Sequence, residues 1–335
     1  MSIERKLASI QEIKDIQPID NADAIVVATV LGWKVVLQKA DNLKIGDKVV
    51  YCEIDSRMPK IDVFSFLETC NYRIKTQKYR GQVSQGIVFP LNILPEGHYE
   101  LGDDVTAILN IEKYEIPMPL CIGDKEGPFP GFLEKTDETR IQTLGDILPK
   151  YNGTTFYKTE KVDGCSITAF YNNEDFGICT RNFRMKKTTN SAAWNLLKAL
   201  GVPENIKKLN RNIAIQGELI GWNIQKNKYK LKTNEFRFYL FNVFDINTYQ
   251  PVPLLEMLEI AKKLNLNTVP ILDTNYVLQF DVDALVEQSK GQSLICPTTK
   301  REGFVYKSVK YISDPVLGRL SFKIINPDFL IKYKE

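Results

Sequence analysis

The chain predicts an α+β protein, with a small N-terminal β-barrel followed by a larger second domain of strands and few helices. The prediction rests on short β-branched runs before residue 112 and on a cluster of Pro and Gly across residues 117–131. It rests also on apolar strands that alternate with two helix-spaced stretches beyond residue 150. A length of 335 residues suits about two domains.

In the first domain, residues 24–30 (AIVVATV), 33–37 (WKVVL) and 48–54 (KVVYCEI) are strand-forming runs. Leu31-Gly32 and residues 44–47 (KIGD) break them, and residues 81–89 (GQVSQGIVF) add a further strand before Pro90. Five or so strands with little helix within residues 1–112 suit an oligonucleotide-binding (OB) fold, the commonest unit of this kind; another small β-barrel is the alternative. Pro117, Pro119, Gly123, Gly127, Pro128, Pro130 and Gly131 mark the boundary, so residues 113–127 read as a linker and 128–335 as the second domain. Residues 136–144 (TDETRIQTL) open with cap-forming side chains and predict a short helix. Strands are expected at 154–157, 166–171, 213–219, 236–246, 303–308 and 320–325, and helices at 190–200 and 254–264.

Composition excludes several classes. With 44% hydrophobic and 25% charged residues the chain can bury sizeable cores, and a net charge of +3 does not itself demand a nucleic acid. Cations are nonetheless clustered, at Arg73, Lys75, Lys78 and Arg80, at Arg181, Arg184, Lys186 and Lys187, and at Lys226, Lys228, Lys230 and Lys232. Each cluster suits a polyanion or a solvated face. Cys52, Cys70, Cys121, Cys165, Cys179 and Cys296 show no C-x-x-C spacing, which argues against zinc and for reduced thiols of an intracellular protein, cytoplasmic or nuclear. The first residues, MSIERK, lack the apolar core of a signal peptide, and no run reaches membrane-spanning length. His98 is the only histidine, which weighs against Ser-His-Asp and Cys-His mechanisms.

The most informative stretch is residues 156–170 (FYKTEKVDGCSITAF), where Lys161, Asp163 and Gly164 stand at the break of an apolar strand. A lysine there can attack the α-phosphorus of a nucleotide once deprotonated, and an acid two residues on can hold a metal that favours the neutral amine. Glycine would let the backbone approach the nucleotide closely. A bare K-x-D-G arises by chance in roughly five to ten per cent of chains this long, so the weight falls on the residues downstream of it. Residues 179–182 (CTRN), 215–221 (IQGELIG), 238–246 (FYLFNVFDI), 301–307 (REGFVYK) and 320–326 (LSFKIIN) come after it in that order. Glu218, Glu302, Lys307 and Lys323 interrupt otherwise apolar strands, so their heads should converge in one cleft, and buried charges need partners. An anionic nucleotide with a divalent cation supplies both signs.

This ordered series resembles the covalent nucleotidyltransferases: DNA ligases, RNA ligases and mRNA capping enzymes. Residues 31–36 (LGWKVV), 53–56 (EIDS), 73–86 and 135–142 (KTDETRIQ) are similar to the nick-sealing RNA ligases of the fifth family, in which the OB domain comes first. The resemblance covers nearly the whole chain. It implies an antiparallel-sheet nucleotidyltransferase domain after the OB fold. It also implies ATP-dependent sealing of 3′-OH/5′-phosphate breaks in duplex RNA through a lysyl-adenylate and an RNA-adenylate, by a monomer without membrane partners.

The resemblance further implies roles. Lys161 would be the nucleophile, with Asp163, Glu218 and Glu302 holding Mg²⁺ (or Mn²⁺) through its waters, and a second Mg²⁺ bridging the β- and γ-phosphates. Glu160 would receive the adenine amino group, and Phe244, or else Phe241, would stack on the ring. Arg181 and Glu218 would contact the ribose, Lys307 and Lys323 the α-phosphate, and Arg140, with Lys135 as alternate, the departing pyrophosphate. Lys34, Arg73, Lys75, Lys78 and Arg80 would grip RNA phosphates, with Trp33 as a platform. Two positions depart from the family: Ile325 stands where a second lysine is frequent, its duty either absent or taken by Arg319, and Ser166 stands where some relatives carry asparagine. Alternatives are a DNA ligase, a capping guanylyltransferase, or a non-catalytic RNA-binding protein built on the OB domain.

Overall fold

Side-chain alternation, inward apolar and outward polar, builds the N-terminal half from five strands: β1 (Ala8–Pro18), β2 (Ile25–Val30), β3 (Trp33–Gln38), β4 (Lys48–Cys52) and β5 (Ile87–Pro90). This computed structural model describes residues 5–115, 117–188 and 190–335. The strands form one antiparallel sheet in the order β3-β2-β1-β4-β5. The first half of β1 pairs with β4 and its second half with β2, and the register slips between Ile13 and Asp15, where a strand shared in this way must bend. The result is a curled, OB-like half-barrel closed over Ile10, Ile13, Val30, Trp33, Val50 and Tyr51, all fully buried. Trp33 is therefore core, and the expectation of an exposed platform at that position is corrected.

The second half carries two antiparallel sheets. The larger runs through β6 (Lys125–Pro128), β8 (Cys165–Asn172), β9 (Asp175–Thr180), β10 (Phe183–Met185), β11 (Ile213–Gly221) and β12 (Phe236–Asp245). Its order is β6-β10-β9-β8-β11-β12. One face is covered by α1 (Ala192–Ala199), α2 (Val202–Lys207) and α3 (Leu254–Lys263) around Ile215, Leu219, Leu240 and Val243. The smaller sheet contains β7 (Thr155–Lys161), β13 (Ile271–Val277), β14 (Gly303–Ser308) and β15 (Ser321–Ile325), in the order β13-β7-β14-β15. Residues 162–164 carry the chain from one sheet to the other.

Helix α1 starts where Ser191 accepts a hydrogen bond from the Trp194 N–H, as a capping serine should. The helix expected at residues 136–144 does not form. Only a 3₁₀ turn, Ile141–Thr143, is present, because the Thr139 carbonyl is taken by the Lys323 N–H, and Arg140 bridges to Lys323 instead of continuing a helix. Two further helices were not legible from periodicity: α4 (Val282–Gln288) and α5 (Pro327–Tyr333). Helix α5 begins at Asn326, whose side chain caps it, and it buries Phe329 and Leu330 in the N-terminal core. The two halves are thus joined by shared apolar packing.

Candidate active site

The ladder of the smaller sheet fixes most of the site. Lys161 lies opposite Gly303, Tyr157 opposite Lys307, and Val305 opposite Lys323, so three lysines from adjacent strands are held in register. In the larger sheet Ser166 pairs with Glu218. Gly164 stands where the sheets meet: a Cβ there would lie 2.4 Å from the Leu219 carbonyl oxygen. The glycine of the motif is therefore required by strand packing, a different reason from the nucleotide approach expected of it. Gly303 is similar, with a φ of +159° and the Ile324 carbonyl 2.0 Å from a hypothetical Cβ.

Acids ring the Lys161 amine. Its Nζ is 2.7 Å from Glu302 Oε1. Burial opposes its charge, but Glu302, Glu218 and Asp163 outweigh burial and hold the ammonium above its ordinary pKa. Burial also pushes Glu218 up to about 8 against the pull of Lys161, with Glu302 and Asp163 adding to the rise. Asp163 is raised to about 7 by burial and by Glu302, despite an ion pair with Lys228 at 2.6 Å. The second oxygen of Glu302 is buried without a hydrogen-bond partner.

Three carboxyls crowd one buried place so closely that two of them resist ionisation, and the orphaned Glu302 oxygen is an open acceptor. Both observations fit a divalent cation. Among the described residues no three His, Cys, Asp or Glu side chains are arranged to ligate one ion directly, so Asp163, Glu218 and Glu302 fit a hydrated ion better than direct ligation.

Two further lysines stand on the same sheet as Lys161. Burial lowers Lys307 to about 7, with Arg319 contributing, and its Nζ donates to the Phe241 carbonyl at 2.7 Å. Burial likewise lowers Lys323 to about 7, with Arg140 and Lys161 as the neighbouring charges. Arg140 is turned toward the N-terminal half, 3.3 Å from Asp55 and 5.7 Å from the Trp33 ring, with one buried nitrogen unpartnered. Glu160 is buried; one oxygen accepts the Leu294 N–H at 2.8 Å and the other has no partner. Burial leads the rise in its pKa.

Other candidates are placed elsewhere. Phe244 is fully buried among Leu133, Phe170, Cys179 and Ala214, with Tyr249 edge-on at 5.1 Å, so it has no face free for a base. That assignment is corrected. Phe241, displaced by a register slip opposite Gln216 and Gly217, is only partly buried and lies 5.3 Å from Lys307 Nζ. Arg181 is exposed and paired with Asp137 at 2.8 Å, while Lys135 stands 6.0 Å from the Phe129 ring. Arg319 bonds Glu138 at 2.9 Å and Asn242 at 3.2 Å.

Two residues of the site were given no site role by the sequence. Lys228 is buried between Asp163 and Glu335, with the Phe329 ring 4.8 Å away, and Tyr229 accepts the Asp163 N–H at 2.8 Å. The alternating lysines 226–232 were visible, but which of them turns inward was not.

Comparisons with known proteins show what the chain is similar to. A family model described as an OB-fold domain matches residues 7–91, and one described as RNA ligase matches residues 154–325. No curated protein matches the chain. Among solved structures, Naegleria gruberi RNA ligase with PPi is 36% identical and superposes with a TM-score of 0.89, covering 99% of both chains. A lysine-to-alanine mutant of the same ligase with ATP and Mn is also 36% identical, with a TM-score of 0.89 over 98% of this chain and 99% of that one. A glutamate-to-alanine mutant with ATP and Mn is 35% identical, with a TM-score of 0.90 over 99% of this chain and all of that one (100%).

Proposed function

The chain belongs to the RNA ligase family, and from that premise we propose that it uses ATP to seal 3′-OH/5′-phosphate breaks in duplex RNA, with Lys161 as the nucleophile. The observation that carries this reading is the Lys161 amine, 2.7 Å from Glu302 and in the field of Glu218 and Asp163, on the sheet that also carries Lys307 and Lys323.

In the first step the Lys161 nitrogen bonds the α-phosphorus of ATP and the bond to pyrophosphate breaks. In the second, an oxygen of the RNA 5′-phosphate displaces Lys161, and the amine regains its proton. In the third, the 3′-OH attacks the activated phosphate and AMP leaves. Each is an in-line phosphoryl transfer, so positioning and charge neutralisation dominate. Lys307 and Lys323 face the α-phosphate, where charge develops. Arg140 has a free nitrogen for the departing pyrophosphate. The unpartnered oxygen of Glu160 suits the adenine amino group, and Phe241 offers the ring face that Phe244 lacks. Arg181 and Glu218 contact the ribose.

An amine of ordinary pKa is about 0.04% neutral at pH 7, and its acid ring puts Lys161 below that. A divalent ion, Mg²⁺ or Mn²⁺, would be held by Asp163, Glu218 and Glu302 and would supply the charge compensation that favours the neutral amine. Labelled ATP tests the reading: label should stay on denatured wild-type protein and be absent from Lys161→Ala. Label surviving in that variant sinks the assignment. GTP in place of ATP discriminates against capping chemistry, and nicks whose 3′ strand ends in RNA or in DNA distinguish the two ligase classes.

A further inference from the structure

We infer that the hairpin formed by Gln77–Tyr79 and Gln82–Ser84 is the element of the N-terminal half that grips RNA beside the break, with Lys78 and Arg80 on phosphates and Tyr79 against a base. This deepens the function proposed above and rests on it.

Of the six residues expected to meet RNA, three are spoken for. Trp33 is core, Arg73 is buried and paired with Asp55 at 2.6 Å, and Lys34 pairs with Asp283 at 3.1 Å. Lys75 is half-buried at the base of the hairpin, and Lys78 and Arg80 are exposed. No carboxylate pairs with any of these three among the described residues. The sequence explains why, since residues 69–95 contain no acid. No nearby acid neutralises these cations, which is the condition for a site that takes phosphate from outside.

Tyr79 adds a second kind of contact. It is 47% exposed, between the two cations, at the last pair before the turn. The turn itself is tight: Arg80 has φ of +49° and Gly81 of +89°, as in a two-residue type I′ hairpin. Arginine is an unusual choice at the first of these positions, where glycine or asparagine is at ease, and the choice keeps a cation at the tip. A short rigid hairpin presents the ring with little ordering cost. Cations and an exposed ring carried on one hairpin tip offer RNA both a phosphate contact and a stacking face.

The base of the hairpin is linked to the Lys161 motif by a chain of contacts. The Thr76 N–H, one residue before it, donates to the Glu335 carbonyl at 3.2 Å, and the Glu335 carboxylate holds Lys228, which holds Asp163. At its other end Ser84 Oγ accepts the Val36 N–H at 3.0 Å, and the Gln85 N–H donates to the Lys34 carbonyl at 2.8 Å.

The test uses the full chain and a fluorescein-labelled nicked RNA duplex, over a series of salt concentrations, with Tyr79→Ala, Tyr79→Phe and the double variant Lys78→Gln/Arg80→Gln. Expected are a loss of RNA affinity of about 5- to 100-fold for Tyr79→Ala, near-full retention for Tyr79→Phe, and a salt slope shallower by about 1.5 to 2 in the double variant. Transfer of AMP to Lys161 from ATP should stay at the wild-type level in all three. Wild-type affinity and slope in these variants, beside a wild type that does seal nicks, would overturn this inference alone. Absence of the AMP adduct from the wild type would instead overturn the catalytic reading on which it stands.

Discussion

Lys161 Nζ and Glu302 Oε1 are 2.7 Å apart, an ion pair that keeps the amine protonated in the unliganded protein. The pair has two consequences of opposite sign. Removing the Glu302 charge lowers the pKa of Lys161, which helps attack; it also removes one of the three carboxyls offered to the divalent ion. A bound dication already offsets the Glu302 charge, so the first effect adds little once metal is present, and the second prevails.

Glu302→Gln should therefore slow formation of the AMP adduct by about 10- to 100-fold and raise the metal concentration needed for half-maximal rate. Titration of adduct formation with Mn²⁺ measures both. Faster adduct formation at saturating metal would show that the ion pair, rather than the metal, limits the step.

Phe241 and Phe244 separate ligand contact from core packing. Phe244→Ala empties a fully buried site and should cost about 3–5 kcal/mol of stability. Phe241→Ala removes a partly buried ring beside Lys307 and should weaken ATP binding about 5- to 50-fold with a small change in melting temperature. Calorimetry with ATP and thermal melts of both variants give the comparison. A reversed pattern would restore Phe244 as the stacking ring.

Lys307 and Lys323 make ATP binding pH-dependent. Each has a pKa of about 7 in the free protein, lowered by burial and neighbouring cations. A phosphate placed between them favours the charged forms and returns their pKa values upward. Binding then takes up protons, and affinity should fall as pH rises above about 7, by up to about 10-fold per unit for each lysine. The dissociation constant for ATP between pH 6.5 and 9 checks this, and titrations in buffers of different ionisation enthalpy count the protons. A flat profile would mean that the two amines stay charged without ligand.

The strands that carry Lys161, Glu218, Lys307 and Lys323 were legible because each polar residue interrupts a run of β-branched or aromatic ones, and period-2 alternation is a local signal. Phe244 was misread because a register slip near Phe241 changes which ring faces the cleft, and a bulge leaves no mark in composition. The helix expected at residues 136–144 failed for a non-local reason: Thr139 is engaged by Lys323, far along the chain. Likewise, nothing near residue 329 announces that α5 completes the core of the N-terminal half, since its partners lie more than two hundred residues away. Local pattern located the chemistry, while long-range packing decided which neighbour faces it.

Asp163 and Lys228 support a last prediction. Lys228 is buried and binds two carboxylates, Asp163 at 2.6 Å and the partly buried Glu335, so replacing it with methionine leaves both acids without this counter-charge. Removal of one partner from such a group typically costs about 3–5 kcal/mol, more than the intact network contributes. The loss should depend on pH with a defined sign. Asp163 is raised to about 7 and Glu218 to about 8 in the folded protein, so between about pH 4 and 8 the folded state holds protons that the unfolded state has released. The stability these groups contribute is complete below about pH 4 and is lost as pH rises through 7 to 8. Lys228→Met removes the cation that holds Asp163 down, so its melting temperature should drop more steeply with pH between 5 and 8 than that of the wild type. Adding Glu335→Gln to Lys228→Met should recover part of the deficit by removing one of the stranded charges. A double variant no more stable than Lys228→Met at pH 7.5 would show that Lys228 acts through its packing on Phe329 and Tyr333 rather than through charge.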